Sequence, residues 1–288
     1  MNVKLPNQFK ISKKSLTIYI TIISVCVIAV IIAFYVQFYA RIEIASLIGI
    51  TTKERKFGNK TEEQIEEIKA GFTEIFNNNL ESEEVDYTNK KQDASKELVY
   101  TKYNEKETKP SNYDINVQIP YINIRSDIVN KYNQEIEDIF AETARKVLDT
   151  ENRNIIYTVE YVSNVHDGIL SLAIKSNIKE GTNAQRVIIR TYNYDLRNNK
   201  EISLDETLRI KQLERNEVKD KIRKEVELEH QKAQDLKDLG YSIYNRNPGS
   251  NIYNIENSKE YYVTNDTLYV IYAYGNENLT SEMDLIIF

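Results

Sequence analysis

The chain has 288 residues with 38 Lys and Arg against 44 Asp and Glu, a formal net charge of −6 and a sequence pI near 5.3. That balance excludes the clustered basic surface that nucleic acid needs, so no nucleic-acid partner is expected. Cys26 is the only cysteine, which excludes a disulfide framework and leaves core burial to hold any folded region together.

Residues 1–15 carry Lys4, Lys10, Lys13 and Lys14 and no acid. Residues 16–40 follow without one charged side chain, Gln37 being the only strongly polar member. A helix of that length reaches about 37 Å, enough to cross a hydrocarbon core of about 30 Å. Lipid offers no partners to backbone N–H and C=O groups, so the segment is expected to be one transmembrane helix. The lysines before it favour a cytoplasmic N-terminus and an extracytoplasmic C-terminal region. A cleaved signal peptide fits poorly, because the apolar core is too long and Phe38 or Glu43 stands where a small residue should precede the cut. Cys26 sits mid-run, which suits a small apolar residue in a membrane helix better than a lipid-modified cysteine.

Residues 41–97 are polar and rich in Lys and Glu, and are expected to form a juxtamembrane stalk and linker. Within them Thr61 caps a predicted helix, with Gln64 as its capping-box partner and Ile65, Ile68, Phe72, Ile75 and Phe76 as its stripe. That stripe fits pairing with another chain, a helix running off the membrane, or a core helix.

Residues 98–288 are expected to fold outside the cytoplasm, about 98–150 as a first module and 151–288 as a second. Strands are predicted over Leu98–Tyr103 and over Tyr113–Ile119, the latter ended by Pro120. Ile128, Tyr132, Ile136, Ile139, Phe140 and Val147 recur at helical spacing, which predicts an amphipathic helix over 126–148. Strands follow over 155–163, 169–178 and 185–195, the first two joined through a connection ending in Asp167-Gly168. A second long helix is predicted from Leu213, with Val218, Ile222, Val226, Ala233 and Leu236 on its buried side and Gly240 at its stop. Strands close the chain over 261–264, 268–274 and 283–288. The order predicts an α+β fold: a mainly antiparallel sheet with two long helices on one side, preceded by one transmembrane helix.

The stretch YNYDLRNNKEISLDETL, Tyr192–Leu208, resembles the strand–turn–helix element of a bacterial envelope module catalogued as a domain of unknown function. There the usual form is Asn-aromatic-Asp-Leu, a Thr-Gly-Lys turn and Ser-Leu-Asp-Asp; Asn198-Asn199 replaces the Thr-Gly pair here. Tyr261–Tyr274 resembles the closing hairpin of the same module, without the usual Pro-Tyr after it. VQIPYINIRSDIVNKYNQEI, Val117–Ile136, is similar to an upstream partner module. The paired domains occur in the lysozyme-sensing sigma-V anti-sigma factor and in some membrane-anchored peptidoglycan deacetylases of Firmicutes. What the resemblance implies is an extracytoplasmic sensing or binding role, with a cationic protein such as lysozyme, another envelope protein or peptidoglycan as partner.

No catalytic constellation stands out, so no catalytic, cofactor-binding or metal-ligating residue is singled out and no cofactor is expected. His166 falls in the hairpin connection and His230 on the second long helix, neither with a second ligand at metal spacing. Runs such as Glu225/Glu227/Glu229 and Glu135/Glu137/Asp138 interleave with lysines, as on the wet face of a helix. The 21 tyrosines could line a glycan-binding face, but at strand spacing core and sheet packing is the expected role for most. The sequence therefore reads as a single-pass, non-catalytic binding or sensing module of the cell envelope, partner contacts unknown. The alternatives are an anti-sigma-factor-like lysozyme sensor, or the non-catalytic part of a peptidoglycan-modifying system. A cytoplasmic tail of about fifteen residues is short for the first, since covering a folded partner takes roughly 20–30 residues a side.

Overall fold

A computed structural model describes residues 60–77 and 87–288. The expected tail, the expected transmembrane helix over 16–40 and residues 41–59 and 78–86 of the expected stalk lie outside these residues, and among the described residues no helix is long and apolar enough to cross a membrane. The fold is α+β with mostly antiparallel pairing.

The main sheet has six strands in chain order: β1 (Val99–Lys109), β2 (Tyr113–Ile122), β3 (Ile155–His166), β4 (Ile169–Glu180), β5 (Arg186–Asp195) and β6 (Lys200–Glu201). Only β2 and β3 run parallel, Tyr113 lying opposite Ile155 and Val117 opposite Val159. A parallel pair needs a long crossover. It is supplied by α2 (Asp127–Ile136), a π-turn (Glu137–Ala141) and α3 (Glu142–Leu148). One sheet thus continues across residue 150. The Phe140 carbonyl in this π-turn accepts from the buried Tyr157 hydroxyl at 3.2 Å.

Alternation in β2 places Tyr113, Ile115, Val117 and Ile119 inward and Asp114, Asn116 and Gln118 in solvent. The inward face meets Val129, Ile136, Phe140, Ala144 and Val147 of the crossover. β4 is buried from Ile169 to Ser176, because its other face is covered too. That cover is a second sheet, β7 (Glu260–Val263), β8 (Leu268–Ala273) and β9 (Met283–Ile287), all antiparallel. Its Tyr262, Tyr269, Ile271 and Ile287 join Val162, Ala173 and Ile189 of the main sheet. Its opposite face, including Tyr261, Val263, Val270 and Tyr272, packs on α4 (Leu204–Ile210) and α5 (Arg215–Asp238). Ten of the tyrosines are in these cores.

α1 (Glu62–Gly71) has the predicted capping box, Thr61 and Gln64 each accepting from the other's backbone N–H. Of the readings open for its stripe the structure has the core helix, since Phe72 and Phe76 are buried against the second sheet and β4–β5.

Several expectations are corrected. The strand block forms two sheets rather than one, with helices on more than one face. β1 extends to Lys109, absorbing most of the residues between the two predicted strands; the turn closes at Ser111, in the left-handed region at φ 66°. β2 runs through Pro120 to Ile122, because Pro120 lies past the β3 pairing, beside a bulge at Thr101/Tyr103, where its missing N–H costs no ladder bond. The β3–β4 connection shrinks to Asp167-Gly168, both at positive φ (55° and 77°), so His166 is a strand residue paired with Ile169. Leu236 is not on the buried side of α5 but 39% exposed. Gly240 stops α5 as expected, at φ 91°, with Tyr241 N–H on the Leu236 carbonyl and Gly240 N–H on that of Lys237.

Candidate functional site

Past its short pairing with β6, the outer edge of β5 would present a row of backbone donors. Each is taken by a group from the last thirty residues. Val187 N–H donates to the Thr280 carbonyl at 3.0 Å. Ile189 N–H donates to Asn276 Oδ1 at 3.0 Å, and Asn276 returns a bond to the Ile189 carbonyl at 2.9 Å. Thr191 N–H donates to Glu260 Oε2 at 2.7 Å. The edge is closed by side chains and a loop, and where this closure meets α2 it leaves a cleft of about 700 Å³.

α2 contributes Tyr132 and Glu135 to one wall, and β5 contributes Arg190 through Asn193 to the floor. β6 and the start of α4 close one end with Glu201 and Ser203, and residues 255–261 form the opposite wall. By strand alternation Arg190, Tyr192 and Tyr194 face the crossover while Thr191 and Asn193 face β7. Asn193 Nδ2 donates to the Tyr261 carbonyl at 2.9 Å, and its Oδ1 accepts from Ser171 Oγ at 2.6 Å, locking floor to wall.

Arg190 Nη1 lies 2.8 Å from Glu260 Oε1. Burial pushes the Glu260 carboxyl up from its ordinary range, against the pull of Arg190 and the Thr191 donors. Burial works against the Arg190 charge, but Glu260 outweighs it and holds the guanidinium above its usual value. Asp205 and Glu256, also at the cleft, are engaged by Arg215, Nε lying 2.8 Å from Asp205 Oδ1. The Tyr132 and Tyr192 rings meet at 5.1 Å between centroids, tilted by 52°. Burial, reinforced by nearby Glu135 and Glu260, pushes the Tyr192 hydroxyl up, so it stays protonated. Burial and Glu201 do the same for Tyr132.

Two donors in this floor have no acceptor. Tyr192 is 5% exposed and its hydroxyl has no hydrogen-bond partner, and Arg190 Nε is buried and likewise unpaired. A buried donor left unmade costs about 1–3 kcal/mol, so two beside one cavity are a feature to explain.

The sequence assigns none of these residues to a site, although Tyr132 stands in the helical stripe, Glu135 in an acidic run and Tyr192 to Asp205 in the motif that carries the resemblance. His166 and His230 lie elsewhere: His166 ends β3, and His230 Nδ1 is 2.7 Å from the Arg246 carbonyl, tying α5 to the following segment. Glu229 is bonded to Lys232 at 2.6 Å, as expected of a helix surface, whereas Glu225 is half-buried and ties α5 to Lys69 of α1 at 2.9 Å; Glu137 pairs with Arg145. Glu135 alone of its run turns to the cleft. The available signal was Arg190, a charge at an inward position of a strand that otherwise reads as core.

No protein-family model and no curated protein matches the chain. Solved structures of DUF3298 family proteins are similar to it. One, from Pseudomonas aeruginosa PAO1, is 13% identical with a TM-score of 0.38, over 62% of this chain and 83% of that one. Another, from Bacteroides fragilis NCTC 9343, is 13% identical with a TM-score of 0.34, over 61% and 81%.

Proposed function

We propose that the chain is a single-pass, membrane-anchored binding module of the bacterial cell envelope, non-catalytic, with its folded part outside the cytoplasm. The charge-free stretch over 16–40 and the lysines before it support the anchor and its direction. The observation that carries a binding role is the β5-edge cleft, where Tyr192 and Arg190 Nε offer donors that nothing in the protein accepts. Preformed concave sites with a few convergent polar groups are the usual form of ligand sites. A sensor related to the anti-sigma factors of the resemblance, or the non-catalytic partner of a peptidoglycan-modifying system, are two forms the same role could take.

The test is a photo-reactive benzophenone side chain at position 135 of the full chain in living cells, with position 179 as an exposed control away from the cleft. The expected result is a discrete crosslinked envelope component from position 135 and none from 179. Equal crosslinking from both, or none from either, would overturn the reading.

A further inference from the structure

The cleft is specific about what it can accept. Its floor supplies two unpaired donors, the Tyr192 hydroxyl and Arg190 Nε, which call for a ligand oxygen as acceptor. A carboxylate or phosphate is the less favourable source of that oxygen. Five acids line the cleft against Arg190 and Lys259; with Glu260 matched to Arg190 and Asp205 and Glu256 matched to Arg215, Glu135 and Glu201, the latter beside the Tyr132 hydroxyl, still outnumber Lys259. An anion would meet their repulsion, whereas a hydroxyl, amide or ammonium of the ligand can donate to them. The third element is the half-buried Tyr132 ring, backed by the buried Tyr192 ring at 5.1 Å, apolar on its face and polar at its tip.

A ligand offering neutral oxygen acceptors, several donors and an apolar ring face, without negative charge, is a sugar. We infer that the β5-edge cleft binds a neutral or cationic saccharide. One ring packs on the half-buried Tyr132 ring, a hydroxyl or amide oxygen accepts from Tyr192 and Arg190, and further hydroxyl or amino groups donate to Glu135 and Glu201. The inference rests on the proposed binding role and names its ligand class.

Tyr192→Phe separates this from a structural role. Removing a hydroxyl with no partner leaves the fold intact, so the melting temperature of the variant stays level or rises. The purified full chain, in a detergent without a sugar headgroup, is titrated calorimetrically with chitobiose, N,N′-diacetylchitobiose and, as a cationic non-sugar, pentalysine. Binding of the disaccharides, weakened roughly five- to tenfold by Tyr192→Phe, is the expected result. Glu135→Gln, at an exposed rim position, should weaken chitobiose more than its neutral diacetyl form. Absence of disaccharide binding, or an affinity untouched by Tyr192→Phe, overturns the inference. Pentalysine binding without the disaccharides also overturns it while leaving the binding role standing, as does a crosslink from position 135 to a protein free of glycan.

Discussion

Gly275 is where the closure of β5 is most exacting. A Cβ built there would sit 1.9 Å from the Val187 carbonyl oxygen and 2.6 Å from that of Thr280. Both are backbone atoms, and Val187 is held by β4 on its other side, so neither can yield. The same turn offers the Gly275 and Asn276 carbonyls to Arg186, at 2.6 and 3.0 Å. Gly275→Ala should therefore destabilise the protein by about 3 kcal/mol or more, at the upper end for overpacking, because the loop must leave the strand. Denaturant unfolding with an unchanged slope and a lowered midpoint would show it; a cost below about 1 kcal/mol would mean that the loop is not seated as described. Little of this was legible. In the sequence Gly275 is one glycine after a predicted strand, and its neighbour Val187 is 88 positions away. Arg190 and Glu260, 70 positions apart, are hidden for the same reason: a buried charge reads as a surface charge until its partner is known.

Elements were read better, because their signals are local. The Thr61 capping box, the helical stripes of 126–148 and α5, and the Gly240 stop each follow from contacts within a few residues. What failed was non-local: the extension of β1, the passage of β2 through Pro120 and the division into two sheets depend on which strand lies alongside. The least legible element is the irregular stretch between α5 and β7. It is fixed by Arg246, buried with Asp284 and bonded to it from Nε at 2.8 and 3.0 Å and from Nη2 at 2.7 Å. The Tyr274 hydroxyl also donates to Asp284, the Tyr253 hydroxyl lies 2.7 Å from that of Tyr274, and the Tyr244 ring stacks on Tyr274. The stretch runs on through Ile255 to Ser258 and so carries one wall of the cleft. Arg246→Met should cost about 3–5 kcal/mol, since it strands a buried carboxylate. Adding Asp284→Asn should recover part of that loss by removing the charge, a positive coupling that a double-mutant cycle measures. If the double variant were as unstable as the two single losses added, the pair would not be acting as an ion pair. The same Arg246→Met variant should bind disaccharide less tightly, although Arg246 does not line the cleft.

For the whole molecule, the folded region and the proposed membrane segment over 16–40 make separate demands, which the proposed orientation meets together. The folded part has no disulfide available, since its sequence lacks cysteine, and it relies on three apolar clusters built on the two sheets. With four of the basic residues in the N-terminal tail, the remainder is more acidic than the chain as a whole, which suits a soluble surface and disfavours attachment to anionic headgroups. The tail lysines favour the opposite, and in the proposed orientation they would keep the N-terminus on the cytoplasmic face. With Cys26→Ser as background, one thiol at a time can report the side on which each end lies. Ser281→Cys, exposed before β9, should react in intact cells with a membrane-impermeant maleimide, and Lys10→Cys should react only after lysis. The reverse pattern would put the cleft in the cytoplasm and remove the envelope from its function, whatever the calorimetry says about sugars. Labelling of both thiols in intact cells would mean that residues 16–40 do not span the membrane, and the anchor itself would fall.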